Sequence, residues 1–337
     1  MTTMKKYYKQ IDVLRGIAIT LVLFGHSIIV FPIDLNAIGW CNFLHTLVSS
    51  VHMPLFFLIS GFCYSFKNPK DFYIKKIKRI LVPYSVFLIS GFAVGIIFPS
   101  LVNDSQGLNG LLNSLLYGTN YWFLYTLFLI FLIFPLIEKA MVNKAMQAVV
   151  LSVLFVLSLF NFWPELLSIN KVVWYISFFA TGYFIKQNLE NVKTVVNKLF
   201  SKKVAGFVCS VVLSGLWIAL VFVDWKYFAE LNYILISTVK IAEAFLGIAA
   251  ISLIVNLTVN YRSSDAFVSL GKYSLQLYLL DGYMLVISRT LLIKVLGITN
   301  PVIIITGIYI FTLVPSYLLI RFIVDRFKVF RFLFGIV

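Results

Sequence analysis

Residues 12–26 read D-V-L-R-G-I-A-I-T-L-V-L-F-G-H, and the apolar run they belong to extends from about residue 11 to about residue 31. In water such a run would be the inside of a fold, yet here it carries Asp12, Arg15 and His26. Helical periodicity resolves the conflict. Arg15 and His26 are eleven residues apart, which at about 100° per residue returns to within roughly 20° of the same face, about 16 Å further along. Asp12 lies about 60° from Arg15 and about 40° from His26 on the same count. One stripe therefore carries an acid, a base and an imidazole, and it faces an interior surface.

The rest of the chain says what solvent surrounds that helix. Of 337 residues, 61% are hydrophobic and 12% charged, against about 45–50% and about 25% in ordinary globular proteins. Mean hydropathy is +0.96. So little polar surface cannot wrap so much apolar mass in water, and a lipid bilayer is the expected partner.

Apolar stretches able to cross roughly 30 Å of hydrocarbon number about ten: near 11–31, 40–66, 77–98, 121–141, 145–162, 172–186, 203–223, 231–257, 265–289 and 301–324. An unpaired backbone amide in lipid costs several kcal/mol, so each run is expected to be helical. The expected fold is an all-α integral membrane protein of about ten transmembrane helices, forming one domain over 1–337. The stretch 107–118 is apolar but too short to cross, so it is expected to be interfacial or re-entrant.

The net charge of +15 finds its explanation in this layout. With the N-terminus inside, Lys171, Lys226, Arg289 and Lys294 fall outside, and Arg15 and Lys240 lie within spans, which leaves 22 of the 28 Lys and Arg for the cytoplasmic segments. That bias follows the positive-inside rule, places both termini in the cytoplasm and requires no nucleic acid. The basic start before the first apolar run resembles a signal peptide. The run is too long and charged for one, however, and no small-x-small cleavage site follows His26, so it is kept as the first span. Cys41, Cys63 and Cys209 have no metal-ligand spacing, and no metal site is expected.

Ionisable groups in a span cost about 2.5–3.5 kcal/mol on insertion scales, so each is a functional candidate whose partner must be named. The chain has Asp12, Arg15, His26, His45, His52, Lys240, Glu243 and Asp281, and all three histidines fall in the first two spans. His45 and His52 are seven residues apart and share a face within roughly 20°, with Pro54 following in H-M-P-L-F-F. Asp12 with Arg15 is either an interfacial anchor or part of a site. Lys240 with Glu243, also three apart, reads as a buried pair. The cluster Lys67, Lys70, Lys75, Lys76, Lys78 and Arg79 is either ordinary inward-facing charge or a grip for an anionic cofactor. Tyr121 and Trp122 read as interfacial belt, although aromatic rings also floor sugar sites.

Several ordered motifs resemble one family. The stretch from Asp12 to His26 is similar to the first-helix motif of the membrane-bound acyltransferase 3 family, in which an Arg-Gly pair precedes a histidine by about ten residues. H-M-P-L-F-F-L-I-S-G-F from His52, K-I-K-R-I-L-V-P-Y, W-F-L-Y around Trp122 and L-G-K-Y-S-L-Q-L-Y-L-L from Leu270 follow in order, and the first of these four looks most like the fucose 4-O-acetylase-like branch. The resemblance implies a plasma-membrane enzyme that transfers an acyl group, usually acetyl from acetyl-CoA, to a hydroxyl of an extracytoplasmic cell-surface carbohydrate. It implies that His26 is the catalytic histidine and Arg15 an essential arginine, and that Lys76 and Arg79 stand where the family often has R-x-x-R, on the donor. Where the family commonly ends the late helix Y-L-L-H, this chain has Y-L-L-D with Asp281.

The residues admit a consistent chemistry. A sugar hydroxyl is a poor nucleophile near neutral pH, and an imidazole is a natural general base. His26 either deprotonates the acceptor or first accepts the acetyl group, with Asp281 or His45 orienting it. Arg15, Lys76 and Arg79 hold the donor, while Ser60 and Trp122, with Asp12, His45, His52 and Glu243, line the passage. A polytopic transporter or flippase would also carry buried charges, but the symmetry between halves that such carriers show is not found in this sequence. A glycan polymerase or a scaffold is a third possibility, and a scaffold gives no reason for the polar stripe.

Overall fold

The computed structural model describes residues 8–29, 33–98, 107–199, 203–227 and 232–336, and among them every regular element is a helix. In order these are α1 (Lys9–Ile28), α2 (Gly39–Phe62), α3 (Pro69–Lys76), α4 (Val82–Ile97), α5 (Gly107–Tyr117), α6 (Trp122–Ala140), α7 (Lys144–Ser158) and α8 (Ile169–Gln187). Then come α9 (Leu189–Leu199), α10 (Lys203–Tyr227), α11 (Tyr233–Thr258), α12 (Ser264–Lys272), α13 (Ser274–Arg289), α14 (Pro301–Leu319) and α15 (Lys328–Leu333). The protein is an all-α integral membrane protein, with eight helical segments long and apolar enough to cross a bilayer among the described residues. Of the ten expected runs, 145–162 becomes the shorter α7, and 172–186 becomes α8, which is not among those eight.

Local sequence explains many of the boundaries. Asn68 before Pro69, and Asn300 before Pro301, cap α3 and α14 by accepting backbone N–H bonds, with the proline at a first-turn position where its missing N–H costs nothing. Asn143 caps α7 in the same way. Pro83 has a different effect. It cannot donate to the Arg79 carbonyl four residues back, and the chain between α3 and α4 widens into a π turn over Ile77–Leu81, where Val82 N–H reaches Ile77 O. The basic motif thus sits on an irregular turn rather than on a straight helix.

The run expected as one span over 265–289 is divided. α12 ends at Lys272, the chain bends at Tyr273, and α13 begins at Ser274. The first half of this run makes a close crossing with α1. A Cβ on Gly16 would stand 2.1 Å from the Phe267 carbonyl oxygen, and one on Gly271 would stand 1.9 Å from that of Asp12. Only hydrogen fits at either point, so the glycine after Arg15 lets α12 press its backbone onto α1. A second such crossing joins α2 to α8, where Cβ atoms on Gly61 and Gly182 would lie 1.8 Å from Phe179 O and 1.9 Å from Leu58 O.

These crossings put α1 at the centre. It packs against α2, α11, α12, α13 and α14, and Ala18, Ile19, Val22 and Leu23 are buried. α10 is peripheral, with Val204, Phe207 and Val211 exposed to the surroundings. An aromatic core of Phe57, Phe134, Phe178 and Phe179 fills the space between α2, α6 and α8. The short α5 is tied to α4 by Tyr84, whose hydroxyl donates to Ser114 O at 3.0 Å.

Candidate functional site

The first conjunction is between α1 and α13. His26 Nδ1 is hydrogen-bonded to Asp281 Oδ2, joining residues 255 positions apart. A carboxylate ion in this pair accepts from Nδ1–H, and in a neutral imidazole that arrangement leaves the lone pair on Nε2. The Asp281 side chain is 5% exposed and that of His26 is 38% exposed. The carboxylate is thus locked inside the bundle while the imidazole is only partly covered. Asp281 Oδ1 has no hydrogen-bond partner among the described residues, so the His26 N–H is its main compensation.

The other two histidines take different places. His45 lies beside α1, with its Cδ2 4.0 Å from where a Cβ on Gly25 would be, and its Nε2 is 3.2 Å from Ser49 Oγ. His52 is buried, and its Nδ1–H donates to the Val48 carbonyl at 2.6 Å. Of the two groups expected to orient His26, Asp281 is the one hydrogen-bonded to it. Ser60 donates to Phe56 O at 2.8 Å.

Toward the start of α1, Arg15 Nη1 donates to Asp12 Oδ1 at 3.3 Å, the pair that a spacing of three residues allows. Its Nη2 reaches Cys63 Sγ at 3.2 Å, at the end of α2. The next residue, Tyr64, packs edge-on against Phe72 at 5.6 Å. Lys76 Nζ lies over the Phe72 ring at 5.3 Å and over Phe131 at 3.3 Å. A chain of contacts therefore brings Arg15 and Lys76 to one end of the bundle. Arg79 lies on the adjacent π turn, its carbonyl 2.6 Å from where a Cβ on Gly335 would stand.

One expected pairing is replaced. Lys240 does not pair with Glu243: its Nζ meets Asp224 Oδ2 at 3.3 Å, on α10. Lys240 keeps its side chain 47% exposed while reaching a neighbouring helix, whereas Glu243 lies a turn deeper, buried, with Oε1 unpartnered among the described residues. The short spacing suggested an intrahelical pair, but the better solvated interhelical contact prevails.

Two features escaped the sequence. Glu138 accepts from Tyr64 at 2.7 Å and from Tyr183 at 2.9 Å, knitting α6, α8 and the end of α2. Tyr121 is held in the left-handed region at φ 50°, a strained conformation for a bulky residue. Its hydroxyl donates to Leu279 O at 3.3 Å, two residues before Asp281. Trp122 follows, against Tyr175 at 5.3 Å and beneath Lys171 at 5.6 Å. Nothing in one dimension places a loop tyrosine beside a late helix.

No curated protein and no solved structure matches the chain. The family profile described as an acyltransferase domain matches residues 8–321, from the start of α1 through the end of α14. With Arg15, His26, Lys76, Arg79 and Asp281 all within that match, the chain belongs to the acyltransferase 3 family.

Proposed function

We propose that this membrane acyltransferase moves acetyl from acetyl-CoA to a hydroxyl of an extracytoplasmic cell-surface carbohydrate. In this reading it lies in the plasma membrane with both termini cytoplasmic, as a relative of the fucose 4-O-acetylase-like branch. The observation that carries it is the His26–Asp281 pair, with the carboxylate buried and the imidazole partly exposed.

The residues divide the work. Asp281 holds the His26 tautomer and stabilises the imidazolium that forms, a positioning role. His26 Nε2 accepts the acceptor's hydroxyl proton as that oxygen attacks the acyl carbonyl carbon, and returns the proton to the departing thiolate when the carbon–sulfur bond breaks. The donor supplies the activated acyl group. Its phosphates suit the cations at the Arg15 end, where Arg15 is 32% exposed and Lys76 and Arg79 add charge. Arg offers a fork to a phosphate and Lys a point charge. Trp122, Ser60, Asp12, His45, His52 and Glu243 belong to the walls of the passage in this proposal, not to its chemistry.

Acyl-CoA labelled in the acetyl group and fed to the purified protein with surface glycan tests the reading. Label on the sugar, lost in His26→Ala, is the expected result. Glycan carried across vesicles without label would favour a flippase instead.

A further inference from the structure

A second site lies where α7 meets α8. Ser158, Phe160, Asn161, Trp163, Glu165, Asn170, Lys171, Trp174, Tyr175 and Tyr233 are among the residues lining an open cleft of about 360 Å³, within the range of about 300–1,000 Å³ usual for small-molecule sites. Its chemistry is mixed. Aromatic rings from three segments of chain share its wall with two amides, a carboxylate and an ammonium. A hydrocarbon tail has no use for those polar groups. A pyranose ring uses both kinds, since its C–H face lies on aromatic rings while its hydroxyls bond to amide and carboxylate oxygens and nitrogens.

The backbone here is held against its preference. Leu167 and Ser168 are both left-handed, at φ 54° and φ 50°. Ser168 Oγ donates to Tyr117 O at 2.7 Å, clamping this loop to the end of α5. A Cβ on Gly118 would stand 2.7 Å from the same Ser168 oxygen. The clamp brings the loop to the segment that carries Tyr121, the third left-handed residue without a glycine's freedom.

Contacts then lead from the cleft to the dyad. Tyr175 stacks on Phe57 at 4.4 Å and packs on Trp122 at 5.3 Å. Trp122 adjoins Tyr121, whose hydroxyl meets Leu279 O close to Asp281. An open cleft joined by these contacts to the His26–Asp281 pair suits a polymer, which can rest one part of its length on rings while another sugar presents its hydroxyl to His26.

We propose that the cleft around Trp163, Glu165, Asn170, Lys171, Trp174 and Tyr233 binds the acceptor as an oligosaccharide strand, apart from the point where acetyl is transferred. This rests on the acyltransferase reading above. The test is quenching of tryptophan fluorescence in the purified full chain, titrated with size-fractionated oligosaccharides released from the surface polysaccharide of the cells that make the protein. Wild type gives saturable quenching. Trp174→Ala and the exposed-site variant Tyr233→Ala each weaken it about ten-fold, equivalent to about 1.4 kcal/mol, while His26→Ala binds as wild type does. Absence of saturable quenching in wild type, or unchanged binding in a folded Tyr233→Ala protein, overturns the proposal. The two readings fail separately: binding that follows this pattern without acetyl on the sugar removes the transferase and leaves the cleft, whereas acetylation with an unchanged acceptor KM in both cleft variants removes the cleft and leaves the transferase.

Discussion

The two ends of α1 hold charge in opposite ways. At the His26 end one imidazole meets one carboxylate that is 5% exposed, and no second acid shares the bond. At the Arg15 end the guanidinium is shared between Asp12 and Cys63, and Lys76 spreads its charge over two aromatic rings. Lys67, Lys70, Lys75, Lys78 and Arg79 add further cations along the neighbouring segment. The first arrangement suits a proton transfer, which needs one nitrogen at one position. The second suits an extended polyanion, to which several cations contribute a little each. Substitutions at the two ends should therefore fail differently, steeply at one and by degrees at the other.

The largest loss is expected at His26. In the proposed mechanism His26→Ala removes the base, and it should lower the rate of acetyl transfer about 10²–10⁴-fold, read as label on the glycan at saturating donor, with donor KM little changed. Asp281→Asn keeps the shape but offers an amide that can donate to the ring as well as accept from it, so the proton is no longer pinned on Nδ1. A fall of about 10²-fold in turnover, again with donor KM unmoved, is the expected outcome.

Arg15→Lys keeps charge and loses the fork, so its effect should appear on the other parameter. The KM for acetyl-CoA should rise about ten-fold with turnover within a few-fold of wild type. A loss confined to turnover would instead move Arg15 to the chemical step and erase the contrast. Lys76→Gln is expected to do least, raising donor KM about two- to three-fold at low salt, with the difference closing as ionic strength rises toward about 1 M, where the screening length is only about 3 Å.

Much of this layout was legible because a membrane makes the bookkeeping of polar groups strict. Asp12, Arg15 and His26 stand out against an apolar run, and helical periodicity places them on one stripe. Family resemblance drew attention to Asp281 as the late-helix group standing where a histidine is usual. The glycines of R-G and I-S-G-F were visible as motif letters, but their work, letting α1 meet α12 and α2 meet α8 backbone to backbone, depends on which helices cross. The partner of Lys240 was misread for a related reason: spacing along one helix is visible in a sequence, and Asp224 on the next helix is not. The division at Tyr273, beside the close crossing of α12 with α1, is a backbone feature that hydropathy does not register. Tyr121 and the α7–α8 cleft draw on left-handed residues, Tyr121, Leu167 and Ser168, that are not the usual glycine or asparagine, although left-handed Gly118 does mark the turn before Tyr121.

The most direct test of the central claim, that His26 and Asp281 act as one unit, is a double-mutant cycle on the acetyl-transfer rate with His26→Ala, Asp281→Ala and the double variant. If Asp281 works only through the imidazole, the double variant is no slower than His26→Ala alone, because nothing is left for the carboxylate to orient. Losses that multiply, with the double variant slower than His26→Ala by the full factor seen for Asp281→Ala, would show two independent roles and contradict the account.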